Sequence, residues 1–193
     1  TLTNSGSMTA TDNYGIYMRN ATGTLTINNS GTISSAIYPM YYTIKSGGSA
    51  TLNLTNSGTI TLTDGHPYDT LALQANATVT NTGTISGGRY ALTFNGAGID
   101  VVNKGTVTGI SYDFMSSTDG NLENLTNGQG GDDCVNWYGY LPTNYKIYIA
   151  SASSYGKMCN AGSTWYMSGD TAFSIDTDST LEARTYTDVF KWT

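Results

Sequence analysis

Over the first 131 residues apolar and polar positions alternate in short runs, and the runs recur. Thr3-Asn4-Ser5-Gly6-Ser7 returns as Asn28-Asn29-Ser30-Gly31-Thr32, Thr55-Asn56-Ser57-Gly58-Thr59 and Thr80-Asn81-Thr82-Gly83-Thr84. A looser copy is Val102-Asn103-Lys104-Gly105-Thr106, and Thr126-Asn127-Gly128-Gln129-Gly130 is degraded. Successive marker asparagines are 25, 27, 25, 22 and 24 residues apart. Two residues before each marker stands Leu2, Ile27, Leu54, Val79, Val101 or Leu125. Four residues after the first five stand Met8, Ile33, Ile60, Ile85 and Val107, with Thr, Ser or Asn mostly between. Period-two alternation predicts strands with one buried face rather than amphipathic helices. A second apolar patch follows in each repeat, as Ile16 and Met18, Leu71 and Leu73, Leu92 and Phe94, and Phe114. Turn residues such as Thr11-Asp12-Asn13, Asp64-Gly65 and Asn95-Gly96 separate the patches, so each repeat predicts two or three short strands.

One such unit cannot bury its apolar side chains, whereas stacked units can, because equivalent residues then lie about 4.8 Å apart. The expected fold is therefore all-β, a right-handed parallel β-helix with about 25 residues per rung. Asn4, Asn29, Asn56, Asn81 and Asn103 are expected to form one amide ladder at a bend, each donating to the next. The neighbouring glycine would tolerate a left-handed or crowded backbone there. Leucine-rich repeats would need a leucine consensus that is missing, and propeller blades are longer. Rung length varies most at Pro39–Thr43 and Asp64–Asp69, the expected protruding loops. Residues 1–131 form the repeat region and 132–193 a tail expected to cap the last rung. In the tail, Tyr145–Ile149, Ala172–Ile175 and Thr185–Phe190 alternate as strands do.

Composition narrows the function classes. Only 11% of residues are charged and the net charge is −6, which leaves no basic footprint for nucleic acid and disfavours an anionic membrane surface. No run of 18 apolar residues occurs, so no helix of this chain is long enough to span a bilayer. The chain begins inside a repeat, and we read it as processed or partial. Its first rung then exposes unpaired backbone, and homotypic association is expected. Cys134 and Cys159 are 25 residues apart, one rung, which favours a disulfide over two buried free thiols.

Catalytic chemistry is sparse. The 14 acids do not recur at rung spacing, as paired carboxylates for sugar cleavage would require. Asp176 and Asp178 share a face in the alternation without a basic partner nearby in sequence. The one histidine, His66, falls in an expected loop, where a solvated side chain is the simpler reading. Gly128-Gln129-Gly130-Gly131-Asp132-Asp133 resembles a single calcium-binding nonapeptide, but such sites are shared between successive copies, and a turn fits better. Sequons at Asn20, Asn28, Asn53, Asn76 and Asn124 arise readily in a chain this rich in Asn and Thr. No cofactor and no metal site is expected.

The Leu54-Thr55-Asn56-Ser57-Gly58-Thr59-Ile60 run and its copies resemble the passengers of bacterial autotransporters, of the pertactin-like β-helix kind. The tail is similar to the segment that precedes the membrane barrel in those proteins, through Tyr145–Ile149, Ser154–Lys157, Gly169–Phe173, Ser179–Leu181 and Thr185–Val189. The resemblance implies a Gram-negative bacterium, export across the outer membrane and a cell-surface or extracellular location. It implies adhesion, self-association or biofilm formation, and a tail that helps to nucleate folding. No barrel follows Thr193 and the cysteine pair is unusual for such passengers, so a fragment, a cleaved form or a reuse of the fold is expected. The expected function is a non-catalytic surface adhesin or self-associating passenger, whose partners are copies of itself or a host or polysaccharide surface. A fibre subunit built from β-helix units and a carbohydrate-active β-helix enzyme are the alternatives.

Overall fold

The computed structural model describes the chain except residues 21, 45–47, 65–66, 130–133, 161–164, 167–170, 183–184, 188 and 193, and describes backbone only at 20, 44, 160, 165–166 and 191–192. Among the described residues there is no helix, and the strands stack into a parallel β-solenoid. The first sheet contains Leu2–Asn4, Thr24–Asn29, Thr51–Asn56, Ala77–Asn81, Ile99–Asn103, Leu122–Asn127, Asn144–Ile147 and Ala172–Ile175. The second contains Ser7–Ala10, Thr32–Ser35, Thr59–Leu62, Thr84–Ser86 and Thr106–Thr108. The third runs from Tyr14–Asn20 through Tyr38–Ile44, Leu71–Leu73, Tyr90–Phe94, Tyr112–Ser116, Val135–Tyr140 and Met158–Asn160 to Phe190–Trp192.

The register follows the repeat. Ile27, Leu54, Val79, Val101 and Leu125 stack as one column, and Ile33, Ile60, Ile85 and Val107 as another. Met40, Leu71, Leu92, Phe114 and Trp137 form a third, all of them fully buried. Removing such a side chain from water contributes roughly 1.5–3 kcal/mol each, and the three columns meet in one core. Thr51–Asn56 alternates strictly, with Leu52, Leu54 and Asn56 inside and Asn53 and Thr55 outside.

Parallel pairing does not stop at residue 131. Tyr145 pairs with Leu125 and Phe173 with Tyr145, while Trp137 pairs with Phe114 and Met158 with Val135. Aromatic rings fill the column positions there, so the core continues after the asparagine marker has gone. The second sheet does end, at Thr106–Thr108. Gln129 takes the place of the next strand: its amide Nε2 donates to the Val107 carbonyl at 2.9 Å and its Oε1 accepts from the Val107 N–H at 2.6 Å.

Pro39–Thr43 is not a loop; it lies inside the strand Tyr38–Ile44. Met40 and Tyr42 point into the core, and burying them outweighs the donor that Pro39 lacks. The described part of Asp64–Asp69 is not strand. Thr185–Thr187 is not strand either. There the Tyr155 hydroxyl donates to the Thr187 carbonyl at 2.8 Å and accepts from its N–H at 3.2 Å, satisfying backbone groups that a ladder would have used.

Candidate functional site

The asparagine column is a continuous amide ladder. Asn4 Nδ2 donates to Asn29 Oδ1 at 2.8 Å, Asn29 to Asn56 at 2.7 Å, Asn56 to Asn81 at 2.8 Å and Asn81 to Asn103 at 2.9 Å. Asn127 is a sixth member, accepting from Asn103 at 3.2 Å, and its own Nδ2 donates to the Tyr145 hydroxyl at 3.1 Å. A second bond from Nδ2 of Asn4, Asn29, Asn56 and Asn81 reaches the carbonyl of Thr32, Thr59, Thr84 or Thr106, at 3.0–3.3 Å, which fixes the bend. Amides serve here because one side chain both donates and accepts. The glycine two residues on is set by crowding from the preceding rung: a Cβ on Gly58 would lie 2.1 Å from the Gly31 carbonyl oxygen. All these groups are buried and occupied, so the ladder is architecture rather than a ligand site.

Cys134 and Cys159 form a disulfide with a Cα separation of 5.6 Å, joining neighbouring third-sheet strands. Asp176 and Asp178 do not form a pair on a strand face. Asp176 closes a turn by accepting the Asp178 N–H at 2.8 Å, and Asp178 lies 3.6 Å from Lys104 Nζ, a basic partner supplied by another rung. His66 and residues 130–133 lie outside the described residues. Among the described residues no group of three or more His, Cys, Asp or Glu could hold a metal ion.

What the fold leaves on the outside is tyrosine. Tyr38, Tyr90 and Tyr112 each stand nine residues after a marker, and Tyr14 ten, so their strands bring them to one side of the third sheet. Tyr14 stacks on Tyr38 with centroids 5.4 Å apart, Tyr17 stacks on Tyr41 at 5.7 Å, and Tyr68 leans on Tyr38 at 5.1 Å. Further along, Tyr112 meets Tyr138 at 5.1 Å, and Tyr90 stacks on both at 6.1 and 6.0 Å. Asp69 and Arg89 lie between the two groups, the Arg89 guanidinium 4.9 Å from the Tyr90 ring centroid. Ala72 and Thr93, which follow Tyr41 in register and flank core residues, are buried even so. The middle of the face is therefore packed and its two ends are open, with Tyr17 50% and Tyr138 39% exposed. Beside Tyr138 is an open depression of about 410 Å³ lined by Met115, Ser116, Ser117, Gly139 and Tyr140.

The electrostatics of the face follow from this packing. Burial, with Asp69 adding to it, pushes the Tyr38 hydroxyl up to about 12, and burial raises Tyr41 and Tyr90 as well. Burial also raises the Asp69 carboxyl, against the pull of the Thr93 hydroxyl and of Arg89. The Gln74 amide donates to the Tyr41 hydroxyl and holds that ring in place. These phenols are neutral hydrogen-bonding groups at ordinary pH, mounted on rings that offer flat apolar faces. Sequence reasoning did not single them out, although the nine-residue offset from the marker is a signal that could have done so. In comparisons with known proteins, no family model matches this chain, and neither a curated protein nor a solved structure matches it.

Proposed function

We propose that this chain is a non-catalytic binding surface, part of an autotransporter-like β-helix passenger displayed outside a Gram-negative cell. The observation that carries it is the division of labour among the side chains. The buried amides are consumed by the ladder, while the tyrosines are gathered on one outer face with open ends. Low charge, acids that do not recur at rung spacing, and the similarity of the repeat and tail to such passengers support the same role. Beads coated with the purified chain test it. They are expected to clump with one another or to be retained on cell or polysaccharide films, and beads that behave like uncoated ones in every assay would overturn the role.

A fibre subunit is the second reading. It is favoured by Phe173, Ile175 and Phe190, which are 45%, 50% and 41% exposed on the last strands of the first and third sheets. Sedimentation at rising concentration separates the two: open-ended growth favours the fibre, a fixed size the adhesin.

A further inference from the structure

We infer that the tyrosine face of the third sheet is a binding track for a neutral polysaccharide chain lying along the solenoid axis, with one platform at Tyr14 and Tyr17 and a second at Tyr138. The site rests on the binding-surface role proposed above and names its ligand class.

The shape selects a linear ligand. Tyr17 and Tyr138 belong to one outward register, through Tyr41, Ala72, Thr93 and Met115. Five rung steps separate them, about 24 Å at the spacing of neighbouring strands. The aromatic strip is one or two side chains wide along that length. A stable protein interface needs roughly 800 Å² on each partner with an apolar centre, and a narrow strip does not supply it. A polymer chain can lie along the strip and touch both platforms, gaining from two linked contacts what neither ring group gives alone.

The chemistry selects sugar. A pyranose has an apolar C–H face and a rim of hydroxyls. Exposed tyrosine faces match the first, and the polar side chains beside the track match the second. Arg19, Asn95 and Ser117 are exposed, and Gln74 is half-buried. The phenols are uncharged at neutral pH, so they donate and accept hydrogen bonds with hydroxyls without selecting an ion. Charge selects a neutral chain, because the protein carries −6 and repels anionic polymers, polygalacturonate and nucleic acid alike.

Affinity electrophoresis of the whole chain tests the track, in gels containing a soluble neutral β-glucan, xylan or galactomannan, with polygalacturonate as the acidic comparison. At least one neutral gel is expected to retard the protein and polygalacturonate is not. Tyr17→Ala and Tyr138→Ala should each weaken retardation roughly tenfold, while Tyr17→Phe, which keeps the ring, retains it. Thr55→Ala, on the outer face of the first sheet, should migrate as the parent does. Both tyrosines are exposed, and unchanged circular-dichroism melting verifies that the variants fold. Retardation by no neutral polymer, retardation unaffected by both alanine variants, or preference for polygalacturonate would each overturn the track. Bead clumping that persists in those cases would leave the binding-surface role standing, so the two failures are told apart.

Discussion

The stack up to Asn127 and the stretch after it solve the same problem by different means. Before Asn127 each rung repeats one set of side chains: an apolar residue, the ladder asparagine, a crowded glycine and a second apolar residue. After it, nearly every task passes to a residue used once. Ile147 occupies the ladder position, so the ladder closes on the Tyr145 hydroxyl. Gln129 stands in for a strand. The buried Asp113 carboxylate accepts the N–H groups of Gly109 and Asn136, at 2.9 and 2.7 Å, and the disulfide joins the next two strands. A parallel stack therefore does not need a periodic sequence. It needs each core position filled and each buried backbone group paired, and periodicity is the cheapest way to meet both demands repeatedly.

The largest expected effect breaks the periodic part. Leu54→Asp places an unpaired carboxylate in a core column and should cost several kcal/mol, whereas Thr55→Asp faces water and should cost little. Equal melting temperatures would contradict the register. Next comes the aperiodic part. Replacing Cys134 and Cys159 by serine opens a loop of 25 residues and should lower stability by about 3 kcal/mol. Mass spectrometry of unreduced protein after alkylation verifies the bond independently, since a closed disulfide takes up no reagent.

Asn56→Ala leaves the amides of Asn29 and Asn81 without their partner and should cost about 2 kcal/mol. Double-variant cycles sharpen the contrast between the two regions. Asn56→Ala with Asn81→Ala should be non-additive, because they share a bond, while Asn56→Ala with Gln129→Ala should add. Additivity in both would mean that the ladder is a set of independent contacts. Smaller still is Tyr42→Phe: its buried hydroxyl has no partner among the described residues, so removing it should leave melting unchanged or raise stability by about 1 kcal/mol.

The smallest effect belongs to Asp69. Burial holds its folded carboxyl above the unfolded value of 3.8, so the native chain binds more protons between the two. Stability contributed by this group therefore falls as pH rises through that window and stays lower above it. Asp69→Asn should melt slightly higher than the parent at neutral pH and equally in acid below the unfolded value. A denaturation series against pH reads the difference, and a variant less stable at neutral pH would show that the carboxylate is held by partners rather than merely tolerated.

Much of the fold is legible in the sequence. The Asn-x-Gly marker with apolar residues two before and four after gives both the strand faces and the stacking, because the same contacts recur in each rung. Pro39 misleads, since proline reads as a loop signal while Met40 and Tyr42 decide the matter by burial. Gln129 and Asp113 carry no signal at all, because each is used once and acts on a backbone group distant in sequence. The tyrosine face is half legible. Its offset from the marker is constant in three rungs, but the longer excursion before Leu71 puts Asp69 where another tyrosine would stand, and only the register restores the alignment. Its role is not legible in composition, because tyrosine is equally a strand former and a surface for ligands.

The ladder asparagines all point their N–H groups toward the later rung and their oxygens toward the earlier one. Their dipoles add along the axis, and each bond polarises the next in the same sense. The two faces of any cut through the stack are thus chemically unlike: one offers a donor, the other an acceptor. A rung arriving in reverse orientation meets like against like. The column is a keyed joint repeated at every level, admitting only parallel additions and growing by a rule that reads differently from its two ends.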